Sequence, residues 1–182
     1  MNKILCGSPF YIFAFITNKE TDIMKLLRII AAVVTALYFC ACQQNDTQIK
    51  QLTNIDSVAD TGAERAQNMI DSIGPYMKNA TKASRNYYEL LKIKNQDKAY
   101  IPQTSDSTIT RLVEYYESKG DKKLLPMAYY YAGRIYMDIN NVPEALKYLQ
   151  KVTRTGDHNN QLTYKAYSQI GYVFIRSYTT KA

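Results

Sequence analysis

The sequence has no tryptophan, one histidine, three cysteines, five prolines and seven glycines. So few turn-forming residues exclude a many-stranded β-sandwich, whose short strands need frequent punctuation. Helices are the expectation that remains. Cys6, Cys40 and Cys42 all lie near the start of the chain. The rest therefore has no disulfide framework, no thiolate metal site and no cysteine nucleophile. Long blocks of one charge sign are also missing. The formal charge is +7, but the basic and acidic residues are interspersed, so the chain lacks the charge run of a nucleic-acid-binding tail. Nucleic acid is not an expected partner.

Catalytic constellations are equally scarce. There is no glycine-rich phosphate loop, no Ser-His-Asp order and no cluster with metal-ligand spacing. The one histidine, His158, sits in the polar stretch Gly156-Asp157-His158-Asn159-Asn160 without an evident partner. Asp56 and Asp60 stand at helical spacing and read as surface carboxylates. No enzyme activity, cofactor or metal is expected.

What the chain does contain is 46% apolar residues and 17 tyrosines against five phenylalanines. That is enough for one folded domain of ordinary size. Met24-Lys25-Leu26-Leu27-Arg28 supplies two positive charges, and Ile29 to Phe39 follows without any charge. A positive start and a core of about 7–15 apolar residues mark a secretory signal. The run is shorter than the roughly 20 residues that span a bilayer. Residues 1–23 contain a second apolar stretch, Ile4 to Ile16, broken by Gly7, Ser8 and Pro9. They are read as an extension upstream of a start at Met24; a membrane-seeking hairpin is the less favoured alternative.

The segment Leu37-Tyr38-Phe39-Cys40-Ala41-Cys42-Gln43-Gln44-Asn45-Asp46 resembles the end of a bacterial lipoprotein signal, where a small residue precedes a cysteine that becomes acylated. Cys42, after Ala41, fits this pattern better than Cys40, after Phe39. The resemblance implies a signal peptide over 24–41 and a lipid anchor at Cys42, with an ordinary secreted protein as the alternative. The polar residues 42–51 are then a linker, and 52–182 the helical domain.

Beyond the linker, apolar residues recur at helical spacing. Ala66, Met69, Ile70, Ile73 and Met77 form one stripe, which Pro75 should end or kink. A second helix is expected over about Thr81–Lys94, with Ala83, Tyr87, Leu90, Leu91 and Lys94 on one face, and then a loop from Asn95 to Gln103. Ser105, Asp106 and Ser107 offer N-caps for a helix carrying Ile109, Leu112, Val113 and Tyr116, closed by Gly120. Three more helices follow, at about Leu125–Asn140, Val142–Thr155 and Gln161 onward. Short-linked successive helices pack antiparallel.

Tyr129-x2-Ala132-Gly133-x2-Tyr136, followed by Ala145-x3-Leu149-x2-Val152, resembles the tetratricopeptide repeat. Tyr129 stands for the usual Trp, Ala132 for Leu and Leu149 for Phe, and the usual closing proline is missing near Asp157. A second copy begins at Tyr167-x2-Ile170-Gly171-x2-Phe174. Glu64-Arg65-Ala66-x3-Ile70-x2-Ile73 and Tyr87-x2-Leu90-Leu91 read as degenerate copies. Tyr129, Gly133, Tyr136, Ala145 and Gly171 are thus the expected repeat-packing residues; glycine and alanine are needed where paired helices cross closely. The fold expected is all-α: antiparallel helix pairs stacked as a right-handed solenoid of this type, preceded by the signal segment and ending in an unpaired helix. Its face with Tyr167, Ile170 and Phe174 would be covered by another chain or, the preferred reading, by further repeats of a longer protein.

Tyr87-Tyr88-Glu89-Leu90-Leu91, Ser105-Asp106-Ser107, Glu114-Tyr115-Tyr116 and the run Ala128 to Tyr136 are similar as a set to exported tetratricopeptide proteins of the Bacteroidetes type, a resemblance that covers about residues 50–182. That resemblance implies a scaffold for an unknown protein or peptide partner, held at the envelope membrane by lipid. The peptide groove would be lined by Tyr130, Arg134, Met137 and Asp138 and, from the next repeat, Tyr172 and Arg176. A glycan-binding outer-membrane lipoprotein and the sensory part of a membrane-spanning regulator are the alternatives.

Overall fold

The computed structural model describes residues 22–155 and 161–179, with side chains at 24–36, 47–155 and 161–175. Among these residues every regular element is helical. The helices are α1 (Asp22–Ala59), α2 (Ala63–Ile73), α3 (Lys82–Lys98), α4 (Ser107–Lys119), α5 (Leu124–Asp138), α6 (Val142–Thr155) and α7 (Gln161–Thr179), with a 3₁₀ segment at Gly74–Asn79 after α2. The chain divides into two compact units, residues 1–43 and 44–182.

In the first unit, Leu26, Leu27, Ile29, Ile30, Val33 and Val34 are all exposed. The last four belong to the charge-free run expected as the core of a signal, and the two leucines to its positive start. No described helix is long and apolar enough to cross a membrane. Of the extension expected over 1–23, residues 1–21 lie outside the described residues.

The second unit holds the hydrophobic core, which forms two clusters. Leu52 and Ile55 of α1 meet Ile70 of α2 and Tyr87 and Leu91 of α3. The larger cluster runs from Leu90 and Ile93 of α3 through α4, α5 and α6 to Ala166 of α7. Burying each large side chain removes enough apolar surface to contribute about 1.5–3 kcal/mol before entropy is charged against it. Residues 42–51, expected as polar linker, lie within α1, and Gln48 is only 9% exposed. Ile49 packs on the α1–α3 cluster, so the core reaches into the expected linker.

Local chemistry sets most of the helix ends. Thr81 Oγ1 accepts the Ser84 N–H at 3.2 Å and caps α3. Ser105 Oγ accepts the Ser107 N–H at the start of α4. Gly120 ends that helix at φ 61°, a left-handed conformation that costs glycine little. Asp121 Oδ1 then accepts the N–H groups of Lys123 and Leu124 and starts α5. Asn140, also left-handed at φ 60°, turns the chain from α5 to α6, and the Asn141 N–H reaches back to Tyr136 O at 2.7 Å. Pro75 falls at the start of the 3₁₀ segment, where a missing N–H is harmless.

A second boundary also differs from its sequence expectation. Helix α3 continues one turn past Lys94, through residues expected as loop. Asn95 is 2% exposed and donates to Gln67 Oε1 of α2, while Asp97 is ion-paired with Arg134 of α5. Tertiary partners hold that turn, and its own polar sequence gives no hint of them.

Candidate functional site

Four helices carry the pattern apolar-x2-small or apolar: Ile49/Leu52 on α1, Tyr87/Leu90 on α3, Tyr129/Ala132 on α5 and Tyr167/Ile170 on α7. Polar side chains link these helices in sequence. On the α1–α3 step, Lys94 Nζ lies 2.8 Å from Asp56 Oδ1 and 2.9 Å from Asp60 Oδ2, and also donates to Asp56 O. The Tyr87 hydroxyl donates to the other Asp56 oxygen at 2.9 Å. Asp56 and Asp60 are therefore partners of one buried lysine; Asp56, its side chain only 15% exposed, departs from its reading as a surface carboxylate, whereas Asp60 is exposed as expected. On the α3–α5–α7 step, Arg134 Nε donates to Asp97 Oδ1 at 2.7 Å and Nη1 to Gln169 Oε1 at 2.8 Å.

The charges along this face perturb one another. Partial burial pushes the Asp60 carboxyl up, but the Lys94 hydrogen bond and the positive charges of Lys94, Lys165 and Lys98 outweigh it. Its pKa lies below the ordinary carboxylate value. Burial and the nearby Lys98 charge lower the Lys165 ammonium. Burial, with Asp97 adding to it, raises the Tyr131 phenol far above its usual value. No described group of acidic, histidine or cysteine side chains is arranged to hold a metal.

The residues expected to line a peptide groove are placed as follows. Arg134 is half-buried and committed to Asp97 and Gln169, and Met137 is half-buried against the core. Asp138 is exposed and accepts the Gln103 N–H at 2.9 Å, fastening the α3–α4 loop. Tyr172 is exposed on α7. Tyr130 is not a surface residue: it is 5% exposed, with its ring edge-on to Tyr131. The side chains of Arg176, Cys40 and Cys42, and all of His158, lie outside the described residues.

The packing residues make a different set of contacts. A Cβ at Gly133 would meet Leu149 Cγ at 2.7 Å and Ala145 O at 3.3 Å. Helices α5 and α6 therefore approach as closely as the small residues in the sequence require. Ala145 and Leu149 are completely buried there. Tyr136 stacks on Tyr148 of α6 with centroids 5.5 Å apart, and its hydroxyl donates to Asp106. Tyr129 donates to Glu117 of α4 at 2.7 Å, and Lys151 of α6 reaches the same oxygen while lying over the Tyr129 ring. These two hydrogen bonds lower the Glu117 carboxyl. Gly171, in contrast, has nothing within 4 Å of a Cβ position.

An apolar cleft of about 230 Å³ opens between Ile49, Tyr87, Tyr115, Tyr116 and Leu124. Sequence reasoning missed Lys94 as a linking residue, although a lysine on an otherwise apolar face was the available signal. Asp97 and Gln169 offered none.

The fold defines the class: a protein that is all-helical across its described residues, with its helices packed around two core clusters that adjoin at α3. No protein-family model matches the chain, and neither the curated proteins nor the solved structures give a match.

Proposed function

We propose that the chain is a non-catalytic, tetratricopeptide-like interaction scaffold, tethered to an envelope membrane by acylation of Cys42. One observation carries the scaffold reading: Gly133 has no room for a Cβ against Leu149 and Ala145. It coincides with the Tyr-x2-Ala-Gly-x2-Tyr and Ala-x3-Leu-x2-Val pattern, in which small residues stand where paired helices cross. Stacked in this way, the antiparallel pairs α1–α2, α3–α4 and α5–α6 form a right-handed solenoid in which α7 opens the next pair.

The partner is a protein or extended peptide on the face formed by α3, α5 and α7. With Tyr130 buried and Arg134 engaged, Met137, Asp138, Tyr172 and Arg176 are the groove residues left to meet it, alongside Arg134's remaining donors. Photo-crosslinking amino acids at Asp138 and Tyr172 test this in cells. A discrete adduct shared by both positions, and absent when the probe stands at Lys122, is expected. Adducts no different from those at Lys122 would remove the groove. Intact mass spectrometry tests the anchor: a diacylglyceryl mass that disappears in Cys42→Ala but persists in Cys40→Ala supports it, and an unacylated chain refutes it.

The exposed rings of Tyr164, Tyr167 and Tyr172 along α7 favour one second reading, stacking on sugars. Glycan-array binding that falls in Tyr172→Ala would place it first.

A further inference from the structure

The opposite end of α3 from the Lys94–Asp97 turn holds an unexplained polar feature. Asn86, in the first turns of that helix, is 3% exposed. Its Oδ1 accepts from Arg111 Nη1 at 2.7 Å, but its Nδ2 has no hydrogen-bond partner. A buried donor left unpaired is costly and rare in folded proteins. Asn86 lines a cleft of about 450 Å³ among the 3₁₀ segment, α3 and α4, together with Lys78, Arg85, Tyr88, Glu89 and Arg111.

The cleft is positively charged for a specific reason. Arg111 donates to Asn86, and Arg85 donates to the Ala80 carbonyl at 2.7 Å. Neither forms an ion pair with a described carboxylate, and nor does Lys78. The single acid of the cleft, Glu89, pairs with Lys92 outside it at 3.4 Å. Three cations thus line the same cleft as an amide whose N–H is unsatisfied, near the positive end of the α3 dipole. An oxyanion is the group that answers all of these at once: it accepts from the amide and neutralises the cations that line the cleft.

We propose that this cleft binds a small molecule through an oxyanion group, a carboxylate or a phosphate. Asn86 Nδ2 and the Lys78, Arg85 and Arg111 side chains supply the donors. Tyr88 forms a wall, its hydroxyl resting over Gly74, where a Cβ would meet it at 3.0 Å. The site is separate from the α3–α5–α7 face and independent of the lipid anchor.

Calorimetry of the full chain in non-ionic detergent tests the site, with inorganic phosphate and succinate as charged probes and glycerol as the neutral one. Saturable one-to-one binding of an anion at about 1 mM or tighter is expected. The tighter anion identifies the group, and glycerol should not bind. Arg111→Gln and Asn86→Asp should each weaken binding at least about tenfold. Lys78→Glu should also weaken it, whereas Lys122→Glu, the same charge change at an exposed residue outside the cleft, should stay within about twofold. If Asn86→Asp does not fold, Lys78→Glu and Arg111→Gln decide the matter. Absence of saturable binding by either anion overturns the proposal. So does equal weakening by Lys122→Glu and Lys78→Glu, or unchanged binding in Arg111→Gln.

Discussion

The ammonium of Lys94 and the carboxylate of Asp56 meet at 2.8 Å across α3 and α1, and the lysine side chain is only 6% exposed. The two residues are 38 positions apart. Tyr87, two turns earlier on α3, holds the second oxygen of the same carboxylate. The ion pair is therefore fully hydrogen-bonded on its acidic side, the condition under which a buried pair is tolerated.

Removing Lys94 strands that carboxylate. Lys94→Met should destabilise the protein by about 3 kcal/mol, the lower part of the range for breaking a buried pair, because Asp56 keeps its tyrosine and some solvent. Asp60, 43% exposed, is the weaker partner, and Asp60→Asn should cost less than about 1 kcal/mol. Urea unfolding of the two variants checks the ranking. Equal effects would mean that the pair is not the linkage described.

The two helix glycines should respond in opposite directions. Gly133→Ala drives a methyl group against Leu149 and the Ala145 carbonyl and should cost about 1–3 kcal/mol through overpacking. Gly171→Ala meets nothing and should stabilise by roughly 0.5–1 kcal/mol through reduced backbone freedom. Thermal midpoints report both. A neutral Gly133→Ala would contradict the close crossing of α5 and α6.

Acid should lower the stability of the protein in part through Asp60 and Glu117. Both have pKa values below their ordinary ones in the folded chain. The unfolded chain therefore takes up protons first as the pH falls. Their stabilisation is present above the unfolded values, about 4, and is lost as pH drops through the folded ones. The thermal midpoint should hold steady from about pH 6 to 5 and decline below about 4. Asp60→Asn and Glu117→Gln should each start lower and decline less steeply. Profiles parallel to the parent would rule these groups out.

Alkali should act through buried phenols. Burial, reinforced by Asp56 at Tyr87 and by Glu117 at Tyr129, raises these tyrosines well above their usual value. Burial raises Tyr116 likewise. In this case the folded state keeps the proton, so stability is intact below the unfolded value, about 10, and lost as pH rises beyond it. Ultraviolet titration should resolve one class of tyrosines ionising near 10 and a second that ionises only as helical dichroism disappears. A single class titrating before unfolding would contradict the burial described.

The sequence is most legible where local chemistry acts alone. The α4 stop at Gly120, the start of α3 near Thr81 and the α6 limits follow from residues that need only their neighbours. The glycine at 133 is legible too, because a repeat pattern links it to Ala145. The last turn of α3 and the role of Lys94 are not, since Gln67, Asp56 and Arg134 supply their partners from distant positions. Tyr130 misleads for a related reason. Three consecutive tyrosines, Tyr129 to Tyr131, are all buried, so α5 has no face wide enough to expose one.

Leu90 and Leu91 are chain neighbours, yet each belongs to a different core cluster. Helix α3 is therefore a party wall, with almost no amide that can open without disturbing one side or the other. Its backbone protons should be among the slowest in the molecule to exchange with deuterated water. A fluctuation that detaches α1 and α2 would leave Leu91 wet while Leu90 stays dry. Damage at the amino-terminal end can then halt at this helix instead of travelling through the later pairs.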